Sequence, residues 1–251
     1  RFHAEYGTAI LDELTFADSD LLGVQRILIL GCGTSLHAGY VAAYMLEELA
    51  RIPVQVEISS EFRYKNPIVP SGTFVIAISQ SGETADTVAA VREVKAKGAK
   101  VLALCNVHDS TLTRDADSTI FLRAGAEIGV CSTKAFTSQV IVLSLFTLLM
   151  ARMRHMNKGE GQHFVDQLLK LPEQVQEVLN QAPRIEEIAK KYAAYENVFY
   201  VGRRYMYPAS LEGALKLKEI SYINAQAIAA GELKHGTIAI IDEKVPVVAV
   251  A

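Results

Sequence analysis

FVIAISQSGETADT, residues 74–87, sets a strand, a polar turn and the start of a helix side by side. Residues 74–78, Phe-Val-Ile-Ala-Ile, form an unbroken apolar run, the pattern of a strand buried on both faces near the middle of a parallel sheet. The run stops at Ser79, Gln80, Ser81, Gly82, Glu83 and Thr84. From Glu83 the pattern turns helical, with Val88, Val91 and Val94 on one face. A helix start leaves about four backbone N–H groups without intrahelical partners, and their partial positive charge favours an anion. Gly82 lets the backbone approach a ligand closely, and Ser79, Ser81 and Thr84 each offer a hydroxyl donor. Such a turn suits a phosphate monoester. Ordinary helix capping, with Ser81 as N-cap and Thr84 as its capping-box partner, accounts for the same residues. The lack of Lys or Arg separates the turn from a nucleotide P-loop.

Working outward, residues 25–31 (QRILILG) repeat the pattern: a buried strand, then Gly31-Cys32-Gly33-Thr34-Ser35, then a helix carrying Val41, Met45, Leu46 and Leu49. This turn is not a dinucleotide fingerprint. GCGTSLHAG does not satisfy G-x-G-x-x-G, and Glu57 is badly spaced for a ribose contact. Further strands are expected over 54–58, 100–105 and 119–122, with a helical turn over 60–64 and mixed helical character over 1–14. Five strands alternating with helices predict an α/β fold with a doubly wound parallel sheet. Its ligands lie beyond the carboxyl ends of the strands, where both hydroxyl-rich turns fall. Two such turns in one crevice can hold the phosphate and the carbon chain of a sugar. Residues 125–137 (GAEIGVCSTKAFT) then lead into an apolar helix over 135–153, with Ser132 and Thr133 as caps whose backbone borders the same crevice.

Composition narrows the classes. The chain has 251 residues, 50% hydrophobic and 21% charged, enough for one large core or two modest ones. A formal net charge of -3 supplies no basic field for nucleic acid or acidic lipid, and tryptophan is absent. The longest apolar stretch, residues 140–150, is interrupted by Ser144 and Thr147 and is expected to be too short to cross a membrane. The opening residues are not expected to act as a signal peptide. Cys32, Cys105 and Cys131 lack metal-site spacing and read as reduced thiols of a cytoplasmic protein. The reading calls for no metal and no cofactor.

A polar connector over 157–162 marks a boundary between a first domain, 1–158, and a second part, 159–251. Amphipathic helices are expected over 163–179 and 184–195, with Pro183 starting the second. The second part begins the first one again: residues 196–202 (ENVFYVG) parallel 25–31, and 245–251 parallel 74–79, so a second sheet is expected to be incomplete. Between them lies SLEGALKLKEI, residues 210–220, where Glu212, Lys216 and Glu219 share one helix face at spacings of four and three. Such a trio is commonly a solvent-facing ion-pair ladder. It also suits a general base, Glu219, beside a lysine that stabilises charge on a substrate oxygen. His235, in AAGELKHG, has the titration range for proton transfer to a sugar ring oxygen, or is simply exposed.

GCGTS, SSEFRY, SQSGETADT, EIGVCSTKAFT, LEGALKLKEISYI and AAGELKHG, in this order and spacing, resemble the isomerase half of the glucosamine-6-phosphate synthase family, the glutamine:fructose-6-phosphate amidotransferases, from about Arg26 onward. The resemblance implies two flavodoxin-like sugar isomerase (SIS) domains, the second incomplete here, binding fructose 6-phosphate or glucosamine 6-phosphate. On matching positions Ser79, Gln80, Ser81 and Thr84 hold the phosphate. Thr34 and Ser35 reach the sugar, and Val130 and Ser132 border it. The resemblance gives Glu219 the proton shuttle between C1 and C2, Lys216 the oxygens, and His235, from the neighbouring subunit of a homodimer, the ring opening. It also implies a glutaminase domain and a C-terminal tail bearing a Schiff-base lysine, neither matched in these residues. On this reading the chain is a fragment that does not by itself transfer nitrogen from glutamine. Asn224, Gln226 and Thr237 depart from the family's usual residues, and Cys131 stands where a small residue is usual. Other SIS-type isomerases, deaminases and sugar-phosphate-binding regulators remain alternatives.

Overall fold

The computed structural model describes all 251 residues, which divide by their contacts into two units, Arg1–Gly161 and Gln162–Ala251. The first opens with a small antiparallel hairpin, β1 (Phe2–His3) and β2 (Thr8–Ala9), where helical character was expected. Gly7, at a φ of 58°, turns the chain back and ends any helix there. A short helix α1 (Asp18–Leu22) leads to β3 (Arg26–Gly31), α2 (Thr34–Met45), a π-helical turn (Leu46–Ala50), β4 (Val54–Ile58) and α3 (Ser59–Phe62). Next come β5 (Thr73–Ser79), α4 (Ala85–Ala96), β6 (Lys100–Cys105), α5 (Thr111–Asp115), β7 (Ser118–Phe121) and the long α6 (Lys134–Arg154).

β3 to β7 form one parallel sheet in the order β4-β3-β5-β6-β7. The strand over 74–79 is thus central, and every residue of β5 is buried. Alternate residues feed opposite cores. Leu28, Leu30, Val75, Ala77, Val101 and Ala103 pack with Val88, Val91 and Val94 of α4. The other face meets α2, where Gly39 lies so close to Ile29 that a Cβ would come within 2.9 Å of its methyl, and α6, whose Phe146 stacks on Phe74 at 6.0 Å. Burial of this kind yields about 1.5–3 kcal/mol for each Val, Leu, Ile or Phe, which is why the runs are uninterrupted. Order reverses about β3: the chain goes from β3 to one neighbour, β4, then crosses back to the other, β5. The crevice of a doubly wound sheet therefore lies beyond Gly31 and Ser79.

At 21 residues α6 is long and apolar enough to cross a membrane by length and composition, contrary to the expectation from 140–150 alone. In the structure it is a core helix: Ala135, Leu143, Phe146, Leu148, Met150 and Ala151 are fully buried.

The connector expected over 157–162 is already helical, the start of α7 (Lys158–Leu179). Asn157 Oδ1 accepts the Glu160 N–H at 3.0 Å, and Glu160 returns the bond to the Asn157 N–H at 2.9 Å. That reciprocal cap begins the helix earlier than its apolar spacing suggests. In the second unit α8 (Ala182–Tyr192) has Pro183 in its first turn, as expected. β8 (Asn197–Gly202), α9 (Met206–Ser221), β9 (Asn224–Ala229), two 3-10 turns (Ala230–His235 and Thr237–Ile240) and β10 (Val247–Ala249) complete the chain. The sheet is parallel, in the order β10-β8-β9, which matches β5-β3-β4 strand for strand. Gly31 and Gly202 end the equivalent strands. A Cβ on Gly31 would sit 3.0 Å from the Leu36 nitrogen, and one on Gly202 would overlap the Met206 carbonyl, so both let the next helix start hard against the strand.

Candidate functional site

Beyond the carboxyl ends of β3 and β5 lies a cavity of about 210 Å³, lined by Cys32, Thr34, Ser35, Ile78, Ser79, Gln80, Ser81, Thr84, Thr87, Ser132 and Gln139. Seven of the eight residues expected to contact a sugar phosphate are among these. Val130 is not: its side chain is 95% exposed. A larger cavity, of about 550 Å³, opens between the β2–α1 segment and β7, but two ion pairs, Arg1–Asp12 and Arg123–Glu13, already neutralise its charged rim.

The hydroxyl turn is built by its own side chains. Ser79 Oγ accepts the Gly82 N–H at 2.9 Å and shares a hydrogen bond with Thr84 Oγ1 at 3.4 Å, while Ser81 Oγ accepts the Glu83 N–H at 3.2 Å. The Glu83 carboxylate accepts the Thr111 N–H at 2.8 Å, a bond that holds its carboxyl below the usual range. These bonds delay the helix: α4 begins at Ala85, with Thr84 as N-cap and no side-chain cap. The capping-box account of Ser81 is thereby removed. A serine oxygen that has accepted one N–H still has its own hydrogen to give, so Ser81 is left as a donor for an anion.

The segment before α6 is organised by Glu127, a residue whose local sequence gives no hint of a role. Its Oε1 accepts the N–H groups of Thr133 at 2.8 Å and Ala135 at 3.4 Å, and its Oε2 accepts the Ser132 hydroxyl at 3.2 Å. Glu127 therefore does the capping expected of Ser132 and Thr133. With a carboxylate at its N-terminus, α6 is not where an added anion is drawn. Gln139 and Thr87 also line the cavity without having been expected there. Gln139 carried a signal, being a lone amide in the apolar helix, fully buried and bonded through Nε2 to Ser35 Oγ at 3.0 Å.

In the second unit, α9 presents the expected trio. Lys216 Nζ lies 3.2 Å from Glu212 Oε1 and 2.7 Å from Glu219 Oε2. Side-chain exposures are 8% for Glu212, 20% for Lys216 and 29% for Glu219, against 65% and 72% for the Glu186–Lys190 pair of α8. The α8 pair is a surface ladder and the α9 trio is not. Its charges are held partly out of water, where their mutual attraction is screened less than in a surface pair. Burial pushes Lys216 down, but hydrogen bonding to Glu219 and the field of Glu212 outweigh it, and its pKa is raised. Replacing Glu212 by Gln removes one of the raising charges. The Lys216 ammonium should then titrate at lower pH, as read from its side-chain nitrogen by NMR; an unmoved titration would show that Glu212 contributes nothing. His235 ends a 3-10 turn and is exposed.

Comparison with known proteins agrees with this geometry. A family model for the SIS domain matches residues 20–149 and 191–251. The glutamine–fructose-6-phosphate aminotransferase [isomerizing] of Methanosarcina mazei is 48% identical over 246 residues, covering 98% of this chain and 40% of that protein. Its namesake in Chlorobaculum tepidum is 51% identical over 227 residues, covering 90% and 37%. The chain thus spans about two fifths of the length of these relatives. The solved C-terminal domain of glucosamine-fructose-6-phosphate aminotransferase from Francisella tularensis superposes with a TM-score of 0.94 at 40% identity, covering 97% of this chain and 69% of that one. The sheet order, the hydroxyl turn at the strand reversal and the matched span agree: this chain belongs to the SIS domain family, and within it to the C-terminal isomerase part of the glucosamine-fructose-6-phosphate aminotransferases.

Proposed function

We propose that the protein binds fructose 6-phosphate and glucosamine 6-phosphate and carries out the isomerase step that makes the second from the first and ammonia. Ammonia, released from glutamine by a glutaminase domain, condenses with the ketone at C2, and water leaves. The resulting fructosimine becomes an aldose amine when a proton leaves C1 and one is delivered to C2. Ser79, Gln80, Ser81 and Thr84 take the phosphate, and Thr34 and Ser35 the sugar. Glu219 moves the proton and Lys216 steadies charge on the substrate oxygens. The working protein is a cytoplasmic homodimer, with His235 serving ring opening in the neighbouring subunit. Cys32, Cys105 and Cys131 form no disulfide, which suits a reducing compartment. The observation that carries the reading is the cavity at the strand reversal, whose Ser81 hydroxyl is left as a donor once its oxygen has accepted a backbone N–H.

Calorimetric titration with fructose 6-phosphate and with unphosphorylated fructose tests it. Saturable binding is expected only for the phosphorylated sugar. Ser81→Ala should weaken it by roughly 10- to 100-fold, since a hydrogen bond to a charged group contributes about 1.5–3 kcal/mol. Equal binding of the two sugars, or full affinity in Ser81→Ala, would remove the phosphate from this turn.

A further inference from the structure

Gln139 does not fit the helix that carries it. α6 is a core helix, and at a fully buried position an aliphatic side chain packs without any polar group to satisfy. Gln139 instead gives its Nε2 hydrogen to Ser35 Oγ at 3.0 Å, a bond that joins residues 104 apart in sequence, while its Oε1 has no partner at all. Turning the amide over does not help, because one of its two polar ends would still be unpaired. A buried amide left half-satisfied costs stability, so packing does not explain it.

What the bond does to Ser35 is specific. Ser35 is buried in the first turn of α2 and lines the same cavity as Ser79, Gln80, Ser81 and Thr84. A hydroxyl oxygen that receives an N–H hydrogen directs its own hydrogen elsewhere. Without Gln139 the Ser35 hydroxyl could present either its lone pairs or its hydrogen to a bound molecule, and its lone pairs repel a phosphate oxygen. We infer that Gln139 is a positioning residue that makes Ser35 an obligate hydrogen-bond donor toward the bound sugar phosphate, at the expense of its own unpaired carbonyl. This rests on the sugar-phosphate reading above.

The test is a double-mutant cycle on fructose 6-phosphate affinity, with thermal unfolding of each variant. Gln139→Met keeps the volume and removes both polar ends. Affinity should fall about tenfold while the melting temperature holds or rises, a combination that simple loss of packing does not give. Ser35→Ala should fall by a similar factor, and adding Q139M to it should cost less than a further twofold. If Q139M binds as the parent does, or if the two losses multiply, Gln139 does not act through Ser35 and the inference is overturned. Should Q139M fail to fold, undiminished affinity in Ser35→Ala alone overturns it equally. A parent protein that shows no phosphate-dependent binding defeats the sugar-phosphate reading itself, an outcome distinct from normal parent binding with an unaffected Q139M.

Discussion

Glu219→Gln should leave fructose 6-phosphate bound and stop its isomerisation. Glutamine has nearly the same shape as glutamate, so the fold of α9 is kept, but a neutral amide cannot take a proton from carbon. General base catalysis contributes about 10²- to 10⁴-fold, and kcat should fall by that factor with KM changed only a few-fold. Exchange of the C1 hydrogen with solvent, followed by NMR of the sugar, should disappear with it. The hydroxyls proposed to hold the phosphate all belong to the first unit, so binding and proton transfer are separable in this substitution. Lys216 loses the partner at 2.7 Å and keeps Glu212 at 3.2 Å, so its pKa should fall toward its ordinary value without the ammonium being stranded. Normal turnover in the variant would move the base elsewhere. A matched collapse of KM and kcat would instead mean that Glu219 supports binding.

Gly82→Ala should damage both the fold and the site. Gly82 has a φ of 68°, where an added Cβ costs about 1–2 kcal/mol by itself. That Cβ would also overlap Ser110 Oγ and lie 2.6 Å from Ser110 Cβ and 2.7 Å from Cys105 Sγ, in a packed corner where overfilling costs about 1–3 kcal/mol more. Together roughly 2–5 kcal/mol of stability should be lost, read as a lower urea midpoint with an unchanged slope. Because the Gly82 N–H is what Ser79 Oγ holds, the turn cannot relax without loosening the hydroxyls beside it, and sugar-phosphate affinity should drop at least tenfold. Adding Ser110→Gly removes the overlap with Ser110 but leaves the contact with Cys105 Sγ and the backbone strain, so it should restore only part of the loss. Full restoration would show that neither φ nor the Cys105 contact matters here, and no loss in the single variant would contradict the described turn.

The parts legible in the sequence were those written in nearest neighbours. An apolar run succeeded by hydroxyls and a glycine identifies a buried strand and its exit turn from a dozen residues, and 26–31 and 73–79 take those places in the sheet. β9, reading Asn-Ala-Gln-Ala-Ile-Ala, has little β-branched or aromatic content, and pairing with β8 makes it a strand. Glu127 and Gln139 act through space, the first folding back to cap α6 and the second reaching α2, so their roles exist only once the chain has folded. The α9 trio lay between these cases. Spacing put Glu212, Lys216 and Glu219 on one face, but their burial, which separates them from a surface ladder, is a property of packing.

The matching strand orders about Gly31 and Gly202, and the SIS match over both stretches, make the two units variants of one architecture. They part in the residues just after the shared glycine. The first keeps Cys32, Gly33, Thr34 and Ser35 there, small and rich in hydroxyls. The second has Arg203, Arg204 and Tyr205, and its next helix carries the Glu212–Lys216–Glu219 trio. The same strand–glycine–helix corner is thus used twice with opposite chemistry, neutral hydroxyls in the first unit and guanidinium groups in the second.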